Sequence, residues 1–364
     1  MPALGPAALN VGMIASVLFL APRLDTPIIG LAVGVLAGGL GQFLIQLPDL
    51  RRAGVSLVPS GELLHPALWR ITTLVGPSVF GLAAVQLNVF ISTFLASLLR
   101  EGSVSYLYYA DRVVEFPLGV FGVAVATAAL PSMAEQAARR DLSRLRGTLN
   151  FALRLSCFVA VPASVGLLLL RDPIVRVLFE RGEFRSADTQ ATAWALGFYA
   201  LGLTAFSAVR IAAQAFYALG DVKTPVRAGI LSVLLNVILA LAFMWAFRGP
   251  LAHGGLALAS SCSSTFNLFF LLWRLRRRLG SLGEGRSIAW SLARIGAGSG
   301  FLALWCALAL WTWPPSPSGT LEALWLAAAI GGGAVLYGAI SAMLRCEEGR
   351  ALFSLVRRGK ETLP

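Results

Sequence analysis

Ten runs of apolar residues, separated by short polar segments, dominate the chain, near 3–22, 25–47, 70–99, 104–134, 148–170, 189–218, 225–247, 254–273, 288–312 and 319–344. About 20 helical residues cross the hydrocarbon core of a bilayer, so each run predicts one membrane-spanning helix. The runs are continuously apolar, whereas barrel strands would alternate over about ten residues. The pattern therefore predicts an all-α polytopic transmembrane bundle of about ten spans.

The connections carry turn and cap chemistry. In the segment 215–226, Gly220 suits the position just past a helix, Thr224 an N-cap and Pro225 a first helical residue, which predicts a tight hairpin. The longer connections 135–147 and 171–188 mix charged residues with apolar ones at helical spacing. They read either as interfacial helices or as ordinary solvated connectors. Pro77, Pro117, Pro131 and Pro162 lie in or at the edges of spans, where they permit bending.

One span breaks the apolar rule. Asp111, Arg112 and Glu115 lie within 104–134, where each charge costs several kcal/mol on insertion scales and usually faces a cavity or a partner. Three charges within five residues point to transport of something polar. Asp111 and Glu115 are four apart on one helical face, and Arg112 and Glu115 are three apart and can pair. The trio sums to −1 when ionised, a poor anion trap unless other cations join it. A purely structural Arg112–Glu115 pair is the competing reading.

Composition agrees with a membrane protein: 364 residues, 57% hydrophobic and 13% charged, with mean hydropathy +0.75, against about 25% charged for a soluble domain. The net charge of +12 is mostly topology. Assigning connections alternately to two sides places 21 Lys or Arg in 51–70, 139–154, 223–227, 274–294 and 345–360, against seven opposite, with Arg112 and Arg210 inside spans. The positive-inside bias makes the richer side cytoplasmic, and with it both termini. Arg274, Arg276, Arg277 and Arg278 would also attract anionic membrane lipids. No nucleic-acid partner is expected. Four cysteines stand singly and the two histidines, His65 and His253, do not join them, so neither a disulfide framework nor a metal site is expected. Met1 to Asn10 lacks the cationic region of a cleaved signal peptide.

Six segments carry a family resemblance: 46–54 (QLPDLRRAG), 76–78 (GPS), 102–112 (GSVSYLYYADR), 130–132 (LPS), 179–184 (FERGEF) and the 215–226 hairpin. In this order they resemble the MurJ (MviN) lipid II flippases of the multidrug/oligosaccharidyl-lipid/polysaccharide exporter superfamily, and the 108–117 stretch, YYADRVVEFP, is the most diagnostic part. The resemblance covers nearly the whole chain. It implies a transporter and not an enzyme, with no catalytic residues, in the bacterial cytoplasmic (inner) membrane. Its cargo would be lipid II, an undecaprenyl diphosphate bearing a disaccharide-pentapeptide, moved from the inner to the outer leaflet by alternating access.

Members of that family have fourteen spans, and this chain aligns from about the fifth. The resemblance thus implies that 1–47 is the remainder of an N-terminal lobe, 48–66 a cytoplasmic loop, 67–273 a C-terminal six-helix lobe, 274–287 a basic cytoplasmic connector, 288–344 two extra helices forming a groove for the lipid tail, and 345–364 a basic cytoplasmic tail. It also implies that a form lacking the first four spans is impaired.

Arg112 matches the family's cavity arginine and is the first candidate for a diphosphate ligand, since a guanidinium stays charged and binds phosphate oxygens in two-pronged fashion. Asp111, Glu115 and Arg210 complete the candidate substrate-binding set. Arg210 reads either as cavity lining or as a residue snorkelling to the interface. Some members hold sodium, which makes Asn88, Ser92 and Asn236 the candidates here for monovalent cation coupling. No carboxylate accompanies Asn236, whose neighbour one turn on is Ala240, and buried Asn and Ser more often bond helix to helix. Three other readings remain. A transferase acting on polyprenyl phosphates would need paired carboxylates for Mg²⁺, which are not evident; an exporter of another lipid-linked polysaccharide or amphiphile and a non-transporting remnant are the others.

Overall fold

A computed structural model describes residues 5–52, 54, 86–247, 249, 251–280, 285–313 and 319–350. Every regular element among the described residues is helical. The chain divides into two compact units, Met1–Gly76 and Pro77–Pro364.

The first unit contains α1 (Gly5–Ala15), which runs through a π turn into a short 3₁₀ turn ending at Arg23, and α2 (Pro27–Arg52). The two form a hairpin packed through glycine. Gly30, Gly34 and Gly38 recur every four residues on the α2 face buried against α1, and a Cβ at Gly38 would lie 2.6 Å from the Leu9 carbonyl oxygen. Without a hydrophobic drive between helices in lipid, such close backbone approach supplies the packing. The hydroxyl of Ser16 donates to the Gly30 carbonyl across the same seam.

The second unit comprises α3 (Gln86–Ser97), α4 (Ser103–Pro117), α5 (Ala124–Ala138), α6 (Leu142–Leu169), α7 (Arg171–Phe179), α8 (Ser186–Ala218), α9 (Lys223–Ala246), α10 (His253–Leu279), α11 (Gly285–Trp311) and α12 (Gly319–Met343). Among the described residues, eight helices are long and apolar enough to span a membrane, and α4 with α5, bent by 40° across a π turn after Pro117, add a ninth if the pair is one span. Of the tenth predicted span, 70–99, only α3 falls within the described residues; Pro77 and the 76–78 motif lie outside them.

The 33-residue α8 is the central post and touches α4, α5, α6, α7 and α10. Its buried positions are mostly Ala and Gly, including Ala193, Ala195, Ala200, Gly202 and Ala212, which lets neighbours close on its backbone. Polar groups join the helices: Ser261 of α10 donates to the Phe198 carbonyl at 2.7 Å, and the Ser156 and Ser207 hydroxyls meet at 2.7 Å between α6 and α8. Interhelical bonds of this kind average about 0.6 kcal/mol, so they fix register more than they supply stability.

The 215–226 hairpin forms as predicted, with a different cap. Gly220 takes φ +72°, and the Asp221 and Gly220 amides return to the Phe216 and Tyr217 carbonyls at 2.8 and 3.0 Å, a Schellman turn. The capping side chain of α9 is Asp221 instead of Thr224. Its carboxylate accepts the Thr224 amide at 3.0 Å and the Thr224 hydroxyl at 2.8 Å, and pairs with Arg278 of α10 at 2.9 Å. Burial pushes the Asp221 carboxyl up, but the Thr224 bonds and the Arg278 charge outweigh it and hold the group below the usual carboxylate range. Helix α9 accordingly begins at Lys223, two residues before Pro225.

The two longer connections part ways. Segment 171–188 contains a helix, α7, with Ile174 and Val175 buried. Segment 135–147 holds none of its own: α5 continues to Ala138, Arg140 turns the chain at φ 56°, and Asp141 caps α6 by accepting the Arg144 amide at 3.0 Å. Three residues of turn leave no room for an interfacial helix there.

Candidate functional site

Helix α4 has two faces. Leu107, Ala110, Val113 and Val114 are buried in the apolar core, which turns Asp111, Arg112 and Glu115 outward. All three charged side chains are about half-exposed. Arg112 Nη1 donates to Glu115 Oε2 at 2.6 Å, its Nη2 lies 3.8 Å from Asp111 Oδ2, and its guanidinium sits 4.9 Å from the Tyr108 ring centre. The pairing expected from the i,i+3 spacing is present. A phosphate reaching Arg112 must therefore compete with Glu115 for the same nitrogens.

Beside this cluster lies a cavity of about 740 Å³. It is a groove walled by α4, α6, α7, α11 and α12, with Pro162, Gly166, Leu302, Cys306 and Ala329 in its lining. Along α6 it extends from Phe158 to Leu170, roughly 18 Å at helical rise. Among the described residues, Arg112 is the one charged residue in that lining, and the Tyr337 hydroxyl is spent on the Phe158 carbonyl at 2.8 Å. An apolar wall with one cation at its margin suits an amphiphile with a long hydrocarbon chain and an anionic head.

The other candidates are placed elsewhere. Arg210 is exposed on α8 and is absent from the groove lining. Asn236 is buried on α9, where its amide donates to the Ser260 and Ser263 hydroxyls of α10 at 3.3 and 3.4 Å. That is the helix-to-helix role expected of buried amides. Asn88 and Ser92 lie on α3, and Asn88 Oδ1 is buried with no hydrogen-bond partner among the described residues. Among the described residues, no group of three His, Cys, Asp or Glu could hold a metal ion.

Sequence reasoning missed a buried ion pair below the groove. Arg154 of α6 bonds Glu348 at 2.5 Å and Glu347 at 2.8 Å, and Ser291 of α11 donates to Glu348 at 2.6 Å. Glu348 is 1% exposed. By its place in the sequence Arg154 reads only as a cytoplasmic cation, and a partner 194 residues away leaves no local signal.

Residues 1–316 match the family model described as "Lipid II flippase MurJ". A probable lipid II flippase MurJ of Vibrio cholerae is 38% identical over 342 residues, covering 93% of this chain and 64% of that protein. A lipid II flippase MurJ of Burkholderia cenocepacia is 35% identical over 282 residues, 76% of this chain and 54% of its own length. The chain thus spans less than two thirds of these relatives. A solved structure titled "Lipid II flippase MurJ, inward closed conformation" is 25% identical and superposes with a TM-score of 0.76, covering 94% of this chain and 67% of that one.

Proposed function

From the premise that this multi-pass membrane protein belongs to the lipid II flippase MurJ family, we propose that it acts in moving lipid II from the cytoplasmic to the outer leaflet of the bacterial inner membrane, as a transporter and not an enzyme. The observation that carries this reading is the groove that ends beside Arg112. The undecaprenyl chain lies along the apolar wall, and the diphosphate is held near Arg112. A diphosphate in bare hydrocarbon would be prohibitively costly to desolvate, so the guanidinium supplies a charge-assisted, two-pronged contact. The cluster's net charge of −1 means that further cations take part in holding the headgroup.

The bias of Lys and Arg supports cytoplasmic termini. At the end of α10, Arg277 lies 4.0 Å from the Trp273 ring centre and Arg274 6.0 Å from it, a cationic and aromatic edge suited to anionic lipid headgroups. Asn88 Oδ1, buried and without a hydrogen-bond partner among the described residues, keeps monovalent cation coupling within the proposal, and sodium dependence of transport checks it.

The test is complementation of cells depleted of their own flippase. Four genes are compared: this chain, this chain joined to the part of the Vibrio cholerae relative that its match leaves out, and each of the two with Arg112→Ala. Rescue abolished by Arg112→Ala supports the reading. Absence of rescue by both forms despite membrane insertion refutes it and favours an exporter of another amphiphile.

A further inference from the structure

Helix α4 presents one polar stripe. Ser105, Tyr108, Arg112 and Glu115 are all exposed, and their spacing of three or four residues sets them, with Asp111, on one helical face. Charges face hydrocarbon only at high cost, so that face borders a polar space and Tyr108 lies in it. The ring is 57% exposed, yet it is held. The Arg112 guanidinium lies 4.9 Å from its centre, and the Tyr109 ring stands at 73° to it with centres 6.0 Å apart. Tyr109 in turn packs on Phe179 at 4.8 Å and Phe184 at 5.5 Å. An exposed aromatic ring braced in this way loses little conformational freedom when a ligand settles on it.

The two carboxylates of the stripe are unequal. Glu115 is engaged by Arg112 at 2.6 Å, whereas among the described residues Asp111 makes no hydrogen bond and its nearest cation, Arg112 Nη2, is 3.8 Å away. A spare carboxylate weakens a site built for phosphate alone. It suits a ligand that also brings hydroxyl or amide hydrogens, which only an acceptor can satisfy. A hexose brings these together with an apolar C–H face, and such a face packs on the negative face of an aromatic ring.

The order along α4 fits the same ligand. Arg112, Val113, Phe116 and Pro117 line the groove and Tyr108 does not, so apolar wall, cation and aromatic ring follow one another as do a polyprenyl chain, its diphosphate and the first sugar. Tyr108 is four residues from Arg112, about 6 Å of helical rise, a separation that a sugar joined directly to a diphosphate can bridge. Resting on the proposed function, we propose that Tyr108 is the platform for the sugar nearest the diphosphate, with Asp111 accepting a hydroxyl or N-acetyl hydrogen of that sugar. The α4 stripe then selects carbohydrate as well as anion.

The test is the affinity of the full chain in detergent, by native mass spectrometry, for undecaprenol, undecaprenyl diphosphate and undecaprenyl diphosphate carrying one N-acetylglucosamine, which supplies a sugar without the peptide. Wild type should bind the sugar conjugate about fivefold more tightly than the bare diphosphate, the effect of one aromatic contact. Tyr108→Leu should remove that increment, lowering affinity for the conjugate more than for the bare diphosphate, and Tyr108→Phe should keep it. Asp111→Ala should shrink the increment while tightening the bare diphosphate, because a negative charge goes. An increment that survives Tyr108→Leu overturns the proposal. So do equal losses for the two diphosphates, which would make Tyr108 only a support for Arg112. A wild type that binds conjugate and bare diphosphate alike also overturns it and leaves the flippase reading standing. Binding of neither diphosphate above undecaprenol sinks the flippase reading itself.

Discussion

Removing Arg154 should destabilise the second unit more than removing any exposed charge. The Arg154→Ala change leaves Glu348, 1% exposed and still bonded to Ser291 at 2.6 Å, as a buried carboxylate without its cation. Breaking a buried pair from one side costs about 3–5 kcal/mol. Ser291→Ala removes one hydrogen bond to a charged group, about 1.5–3 kcal/mol. Arg154→Ala with Glu348→Gln should recover part of the loss, because the uncompensated charge goes with it. The assay is thermal unfolding of purified protein in detergent, with a double-mutant cycle over Arg154 and Glu348 to isolate their coupling. An Arg154→Ala protein that unfolds within a degree of wild type, or a coupling near zero, would refute the reasoning. Acid supplies a second check. Burial pushes the Glu348 carboxyl up, yet the Ser291 and Arg154 bonds more than offset this and hold it below the usual glutamate range. A depressed folded value means that the stabilisation is complete above the unfolded pKa, near 4.3, and is lost as pH falls through the folded value. The gap between wild type and Glu348→Gln should be constant from neutral pH down to about 5 and should narrow below about 4.

Adjacent glycines in α2 should respond in opposite ways. Gly38→Ala drives a methyl to 2.6 Å from the Leu9 carbonyl and should destabilise the α1–α2 hairpin. Gly39→Ala meets nothing within 4 Å and should leave stability unchanged or raise it by up to about 1 kcal/mol through helix propensity, both read by thermal unfolding in detergent. Arg140→Gly relieves a left-handed residue at φ 56° and should stabilise by about 1 kcal/mol, since only glycine takes that conformation without steric cost. Asp221→Ala removes both the α9 cap and the Arg278 partner. It should cost about 1 kcal/mol or somewhat more, seen as faster amide exchange over the first turn of α9.

The helical class, the position of most spans and the polar cluster of α4 were all legible before any coordinates, because they depend on local period and hydropathy. So was the Arg112–Glu115 pair, since three residues of helix bring two side chains together whatever surrounds them. The Gly220 turn is equally legible from its own residue type, whereas both Thr224 and Asp221 are capping residue types and only the turn geometry decides that Asp221 accepts the Thr224 amide. The groove was expected from the family resemblance alone. Its walls come from α4, α6, α7, α11 and α12, helices separated by more than 200 residues at the extremes, and no local pattern states which apolar faces meet. The partners of Arg154 were hidden for the same reason: side-chain period shows which face a charge occupies, but only the packed bundle decides which carboxylate lies opposite it. Arg210 shows the same limit. Its position within a span is plain from hydropathy, and its absence from the groove lining is decided only when α8 takes its place among its neighbours.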